Sequence, residues 1–145
     1  MPEILLRFLA AIGLVAAGWL AFRLANSAVL ARAGKAGAAS GEVSLFQPGR
    51  SAVLYFTTPD CVTCKAFQRP QLRKLESMLG DQVQVVEIDA QAQPELAGRW
   101  GVLSVPTTFI VDTSGTPRHV NHGAVPAEKL AEQLQQVDED LTWSI

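Results

Sequence analysis

The two cysteines of the chain lie very close together. Cys61 and Cys64 are its only cysteines, and only Val62 and Thr63 separate them. A structural disulfide stabilises a fold mainly by closing a long loop of the unfolded chain, and this loop is very short. Two chemistries therefore remain for the pair, namely thiol–disulfide exchange and the binding of a metal ion.

The position of the pair between two predicted elements favours reactive thiols. It follows residues 51–58, a short apolar run typical of a buried strand, and it opens residues 64–79, whose apolar side chains recur at helical spacing. The N-terminus of a helix stabilises a thiolate through its dipole and its unpaired N–H groups. We therefore expect Cys61 to be the exposed nucleophile. Cys64, one turn later on the same face, would resolve a mixed disulfide at Cys61.

Three neighbouring side chains are expected to modulate the pair. The carboxylate of Asp60 disfavours a second negative charge and raises the pKa of the Cys61 thiol, unless Asp60 caps the helix. Thr63 offers a hydroxyl that can hydrogen-bond a cysteine sulfur, and Lys65 adds a little positive charge. We therefore expect the pKa of Cys61 to be lowered less than in a strongly oxidising dithiol protein.

The rest of the chain alternates strand and helix signals. Pro70 should kink the helix that begins at Cys64, and Gly80 should end it. Further segments follow in the order strand 82–89, helix 94–101, strand 107–112, hairpin partner 117–123 and amphipathic helix 125–137. The order β-α-β-α-β-β-α predicts an α/β sandwich with a mixed sheet.

The N-terminal residues have a different character. Residues 4–25 are almost wholly apolar, long enough for a helix that spans a bilayer, and carry Arg7 and Arg23 near the ends, where they can reach the headgroups. Trp19 fits an interfacial anchor. We expect residues 1–30 to form a membrane anchor or uncleaved signal, with a cleaved signal peptide as the alternative.

This anchor predicts a single-pass membrane protein with a folded domain after it. Residues 31–42, which are rich in Ala and Gly, are expected to form a flexible linker. Residues 43–138 would form the domain and residues 139–145 a C-terminal tail. Basic residues are slightly more frequent after the apolar stretch than before it, which leans weakly towards a cytoplasmic domain and leaves an extracytoplasmic one open.

Residues 43–138 resemble the thioredoxin family. The resemblance is carried by Cys61-Val62-Thr63-Cys64 at a strand-to-helix junction and by SVPT, residues 104–107, before a β-β-α ending. It implies a thioredoxin-like fold, thiol–disulfide oxidoreductase activity on protein thiols and disulfides, and no cofactor. It also implies a cis Val105–Pro106 bond that presents the Val105 backbone to a substrate segment. We expect Trp100, before this loop, to pack near the site and assist substrate binding.

Several residues depart from the family pattern. Asp60 stands where the family has a tryptophan, Thr63 where it has a helix proline, and Pro70 falls one residue later than usual. Tyr55, six residues before Cys61, replaces a buried aspartate and cannot accept a proton as a carboxylate would. These departures argue against general thioredoxin activity but leave dithiol exchange intact.

The histidines and the overall charge bear on two alternative functions and on the expected partners. His119 and His122 lie three apart on a predicted strand and so point to opposite faces, which prevents both from joining the cysteines in one zinc site. Two thiolates alone can still hold Cu(I), so a copper-handling module stays open, as does a redox-inactive tethered interaction domain. The net charge of −2 without a basic run gives no reason to expect nucleic acid, and we expect a monomer.

Overall fold

A long N-terminal helix precedes a four-stranded sheet that carries helices on both faces. A computed structural model describes residues 2–39, 45, 47 and 49–141. The elements are α1 (Pro2–Ala39), β1 (Ser51–Thr57), a π-helical turn (Cys64–Gln68), α2 (Arg69–Leu79), a 3-10 turn (Gly80–Gln82), β2 (Val83–Asp89), α3 (Pro94–Arg99), β3 (Thr107–Val111), β4 (Pro117–His122) and α4 (Ala127–Val137). The predicted α/β order is confirmed.

The sheet is mixed, as expected. Its strands lie in the order β2-β1-β3-β4, with β1 parallel to β2 and the other neighbours antiparallel. The carboxyl ends of β1 and β2 therefore lie at the same edge as the start of β3, where Phe56 pairs with Thr107. This edge, which we call the active-site end, receives both the cysteine pair and the loop that contains Pro106.

Strand β1 separates two hydrophobic core clusters. All seven of its residues are buried, in agreement with its continuous apolar sequence. Val53 and Tyr55 face a cluster with α2 and α4, which we call the first cluster and which includes Cys64. The intervening residues, Leu54 among them, face a second cluster with α1 and α3. The alternation follows from the two-residue period of a strand.

The helix that contains Cys64 passes through a π turn, Cys64–Gln68, before it becomes the regular helix α2. The N–H of Arg69 donates to the carbonyl of Cys64, five residues earlier. Pro70 has no N–H, and its ring would crowd the carbonyl of Ala66 in a regular helix. The π turn relieves this conflict and leaves Pro70 in the first turn of α2, where no N–H is needed. The kink expected at Pro70 is thus replaced by a widened turn before it.

Helix α1 is longer than the predicted anchor. It is long and apolar enough to cross a bilayer, with Glu3–Lys35 as the candidate span, although a signal sequence has the same features. It continues to Ala39 and so makes the described part of the expected linker helical, in keeping with the helix propensity of alanine. Ala33 is fully buried in the second cluster. Residues 40–44 of the expected domain boundary lie outside the described residues.

The predicted C-terminal tail is described only as far as Leu141, and this residue packs against the first cluster with 5 % of its surface exposed. The start of the tail therefore contributes to the core.

Candidate functional site

Cys61 and Cys64 form a disulfide just beyond the end of β1. Their sulfurs are 2.06 Å apart and their Cα atoms 5.2 Å apart. The two residues differ in accessibility, because Cys64 is fully buried whereas Cys61 is partly exposed. Only Cys61 can therefore be approached by a sulfur of another molecule.

The backbone at the start of the helix is directed at the Cys61 sulfur. The N–H of Cys64 donates to Cys61 Sγ at 3.1 Å. The N–H of Lys65 donates to the Cys61 carbonyl at 3.2 Å, which begins the helical hydrogen bonding at the pair. A donor at this position stabilises negative charge on Cys61 when the disulfide is open.

The side chains expected to modulate the pair lie at the surface. Asp60, Thr63 and Lys65 are all exposed. Thr63 makes no capping hydrogen bond with its side chain, and no hydrogen bond or ion pair of the Asp60 carboxylate occurs within the described ranges. Asp60 therefore does not cap the helix and can act on Cys61 only through its charge.

Tyr55 lies below the pair in the first cluster, which also contains Cys64. Its side chain is fully buried, and its hydroxyl finds no hydrogen-bond partner in the part of the chain that is described. Burial, reinforced by the negative charge of Glu87, raises the pKa of Tyr55 above its ordinary value, although Thr57 and Arg69 oppose the shift. The phenol therefore stays neutral at physiological pH and cannot act as a carboxylate base.

An ion pair beside Tyr55 was not expected from the sequence. Glu87 is the register partner of Tyr55 on the parallel strand β2. Its Oε1 accepts a hydrogen bond from Arg69 Nη2 at 2.5 Å. The position for which the resemblance implies a carboxylate thus holds a buried phenol here, and the charges beside it belong to the half-exposed pair of Arg69 and Glu87.

The loop before β3 forms the second side of the site. The Val105–Pro106 peptide bond is cis, the conformation that the resemblance implies. Val105 is partly exposed and, like Cys61, packs against the margin of the first cluster. The Pro106 carbonyl accepts a hydrogen bond from the N–H of Gly123 at 2.9 Å, which ties the loop to the end of β4.

The structure corrects the expectation for Trp100. Its ring is fully buried in the second cluster, on the sheet face opposite Cys64, with centroids 5.1 Å from Phe109 and 6.2 Å from Phe56. A side chain without exposed surface cannot contact a substrate. Trp100 instead belongs to the second cluster, against which Val102 and Val105 of the loop before β3 also pack.

A groove next to this loop was missed by the sequence reasoning. It measures about 380 Å³ and lies between the ends of β1 and β2, the helix α3 and residues 102–105. Leu103 on its rim is 91 % exposed. Loop residues follow no period, so the sequence carried no signal for this surface.

Gln68 was also missed, although the sequence did carry a signal for it. It is fully buried, its Nε2 donates to the Val125 carbonyl at 3.3 Å, and its Oε1 accepts from the Val125 N–H at 2.9 Å. Val125 belongs to the first cluster with Cys64. Gln68 lies on the same helical stripe as Cys64 and Leu72, and a polar residue on a buried stripe must find polar partners.

Metal ligands do not gather at the site. Within the described residues, no three side chains of His, Cys, Asp or Glu lie close enough to hold one ion. His119 is half-buried on β4, where burial lowers its pKa, and His122 is exposed. The chemistry available at the active-site end is therefore that of the two sulfurs.

Comparison with known proteins agrees with this geometry. The family described as thioredoxin-like domain matches residues 44–138. Thioredoxin Y of the chloroplast of Oryza sativa subsp. japonica is 36 % identical over 75 residues, which cover 52 % of this chain and 44 % of that protein. Thioredoxin of Bacillus subtilis (strain 168) is 35 % identical over 81 residues, which cover 56 % and 76 %.

A solved structure has the same fold. Chloroplastic thioredoxin z superposes with a TM-score of 0.60 at 23 % identity, over 68 % of this chain and 87 % of that one. The matched stretch thus spans less than half of the rice relative but most of the bacterial one. The strand–CxxC–helix junction, the cis proline loop and the match over residues 44–138 establish that the chain belongs to the thioredoxin-like family.

Proposed function

We propose that the protein is a membrane-tethered thiol–disulfide oxidoreductase that acts on protein thiols and disulfides through Cys61 and Cys64. The observation that carries the proposal is the asymmetry of the pair. Cys61 is accessible and receives an N–H at 3.1 Å, whereas Cys64 is buried directly behind it. An exposed nucleophile with a protected resolving thiol is the arrangement that dithiol exchange requires.

The exchange proceeds in two balanced steps. In the reducing direction, the Cys61 thiolate attacks one sulfur of a partner disulfide, and the other partner sulfur leaves as a thiolate. Cys64, as a thiolate, then attacks the Cys61 sulfur and releases the second partner sulfur. Two electrons pass to the partner, which takes up the two protons lost by the protein thiols. The same steps in reverse donate the disulfide.

The tether is supported by α1, whose side chains from Glu3 to Ala25 are exposed. Such an apolar surface on one helix is stable only in a bilayer or under another protein. The excess of basic residues after the apolar stretch favours a cytoplasmic domain, and an extracytoplasmic one remains the alternative. Resistance of the full chain to alkaline extraction from membranes tests the tether. Alkylation of Cys61 from either side of sealed vesicles tests the orientation.

Equilibration of the full chain in nanodiscs with glutathione buffers tests the activity and its direction. A reduction potential near or below about −250 mV indicates a reductant, and one above roughly −180 mV indicates a disulfide donor. Cys61→Ser should abolish exchange with a protein disulfide, whereas Cys64→Ser should accumulate the mixed disulfide at Cys61. Absence of exchange in the unchanged protein, or failure of Cys64→Ser to accumulate more mixed disulfide than Cys61→Ser, would refute the proposal.

A further inference from the structure

Helix α1 runs without a break from the candidate membrane span into the core of the domain. It extends from Pro2 to Ala39, and its side chains are exposed until Asn26, which is the first to be partly buried. Val29 and Leu30 then pack against the second cluster, and Ala33 is fully buried within it. The segment of α1 from Val29 to Ala33 is therefore part of the core of the domain. A continuous helix with a docked end transmits orientation, which a flexible linker does not.

The apolar part of α1 leaves the domain at the active-site end. A Cβ atom on Gly101 would lie 3.6 Å from Cγ1 of Val29, so the two residues are in close contact. Gly101 joins α3 to the loop 102–105, which lines the groove at the carboxyl ends of β1 and β2. Along α1, Val29 therefore contacts Gly101, and Ala33, four residues later, lies in the core. We conclude that the exposed residues before Asn26 extend away from the domain on the side where Cys61 lies.

The separation between this end and the bilayer is short. If residues 4–25 fill the bilayer, Val29 is four residues beyond it, which corresponds to about 6 Å along a helix. The strands of five to seven residues make the sheet about 20 Å long, so its opposite end would lie about that much further from the membrane. The turn that contains Thr113, after β3, marks that far end.

The distribution of exposed apolar side chains agrees with this orientation. Outside α1, the large hydrophobic residues that are exposed within the described ranges are Val62 at 76 %, Phe67 at 43 % and Leu103 at 91 %. Val62 adjoins Cys61, Phe67 follows Cys64 by three residues, and Leu103 lies on the rim of the groove. All three belong to segments of the active-site end, where the headgroup region of a bilayer accommodates apolar side chains.

We infer that α1 is a rigid stalk that turns the active-site end towards the bilayer, so that the partners are polypeptides whose cysteines lie close to the membrane surface. The partner class rests on the proposed exchange activity, whereas the orientation does not. A soluble protein disulfide must enter the narrow space between domain and lipid. A disulfide on a membrane-anchored chain, within about 20 Å of the membrane surface, already lies in the space between the domain and the lipid.

Fluorescence energy transfer tests the orientation without using the redox site. A donor dye is placed on Leu103→Cys or on Thr113→Cys, each in the full chain with Cys61→Ser and Cys64→Ser, and an acceptor dye is carried by lipid headgroups of nanodiscs. Transfer should be clearly more efficient from position 103 than from position 113. Equal transfer, transfer stronger from position 113, or failure of the chain to enter nanodiscs would overturn the inference. Both positions are exposed, so the labels need not disturb the core.

A flexible insertion tests the partner class. Ten Gly and Ser residues placed between Ala25 and Asn26 free the domain while keeping Val29 and Ala33 in place. In proteoliposomes, exchange is measured with insulin, with oxidised glutathione and with a membrane-anchored peptide that carries a disulfide at the surface. The insertion should shift the ratio of peptide to insulin rates at least fivefold towards insulin and leave the glutathione rate unchanged.

The outcomes separate the inference from the proposed function. An unchanged ratio of peptide to insulin rates would overturn the inference while exchange activity stands. Absence of exchange with all three disulfides in both chains would refute the proposed function and the partner class with it. The fluorescence result would still decide the orientation of the stalk.

Discussion

Single residues around Cys61 act on its sulfur in opposite directions. The N–H of Cys64 stabilises negative charge on that sulfur at 3.1 Å. The adjacent carboxylate of Asp60 opposes it, and because Asp60 is exposed and caps nothing, its charge is screened by water but not neutralised by a protein group. The reactivity of the nucleophile is therefore a balance that one substitution can shift.

Asp60→Asn should make Cys61 more reactive. Loss of the carboxylate removes a negative charge that opposes the thiolate and should raise its alkylation rate at neutral pH roughly two- to threefold, as expected for two charges a few ångströms apart in water. Iodoacetamide kinetics of the reduced full chain against pH measure this change, and the profile should move to lower pH. Asp81→Asn, an exposed carboxylate at the far end of the sheet, is the control. A rate that stays the same or falls would show that the thiol does not sense Asp60.

At the scale of elements, the helix that carries Cys64 is attached to the loop before α4 by two glutamines. Gln68 forms hydrogen bonds with both the N–H and the carbonyl of Val125, and Gln71 accepts a hydrogen bond from the N–H of Ala127 at 3.0 Å. These bonds satisfy backbone groups that the irregular loop leaves unpaired. They also keep Val125 packed in the cluster that contains Cys64.

Gln68→Met should destabilise the domain more than Gln71→Met. The first change keeps the shape of the side chain but leaves a buried N–H and a buried carbonyl of Val125 without partners, at a cost of about 1–3 kcal/mol. The second removes one bond at a half-buried position and should cost less. Urea unfolding of the detergent-solubilised full chain, followed by circular dichroism, measures both. Equal losses would contradict the role assigned to Gln68.

The turn between β3 and β4 depends on the ionised carboxylate of Asp112. Burial alone would raise its pKa, but hydrogen bonds from Ser114, Thr116 and Arg118 outweigh burial and lower it. A lowered pKa in the folded state means that the carboxylate stabilises the fold above the ordinary aspartate pKa of about 4. That contribution is lost as the pH falls through the folded value.

Asp112→Asn should therefore destabilise the domain at neutral pH by about 1–3 kcal/mol, because the amide cannot accept the same charge-assisted bonds. The difference from the unchanged protein should shrink below pH 4, where the carboxylate of the unfolded chain becomes protonated. Unfolding free energies of the two proteins, measured between pH 3 and pH 7, give the loss of stability at neutral pH and its change with pH. Thr113→Ser, a substitution at the exposed neighbouring residue, is the control and should change neither the stability at neutral pH nor its dependence on pH. A difference that is independent of pH would exclude the charge as its cause.

Some elements were predictable from local patterns and others were not. The seven-residue strand β1 is buried on both faces, so its continuous apolar run identified it without ambiguity. The π turn at Cys64–Gln68 results from a conflict between Pro70 and the helix geometry, and no period in the sequence describes it. The sequence predicts a linker at the helical end of α1 because small residues are compatible with both a helix and a flexible chain. The burial of Ala33 against the domain, a tertiary effect, decides between them.

At the scale of the whole molecule, the two parts of α1 have different surfaces. Its N-terminal part has the surface of a membrane span, and its C-terminal part contacts α3 and β4. The packing of Val29, Leu30 and Ala33 makes α1 a part of the second core cluster. A soluble fragment of the domain is therefore complete only if it retains these residues.

A fragment that begins at Asn26 should be more stable than one that begins at Ala38. The longer fragment keeps Val29, Leu30 and Ala33 against the second cluster. The shorter one exposes apolar surface of that cluster to water, at a cost of about 2 kcal/mol after the lost ordering of the helix is considered. Urea unfolding of the two fragments at equal concentration measures the difference, and the shorter fragment should also bind a hydrophobic dye more strongly. A matched control carries Ala33→Asp in the longer fragment, since a buried unpaired charge should reproduce the loss without any truncation. Coincident unfolding midpoints of all three proteins would mean that the end of α1 does not belong to the folded domain.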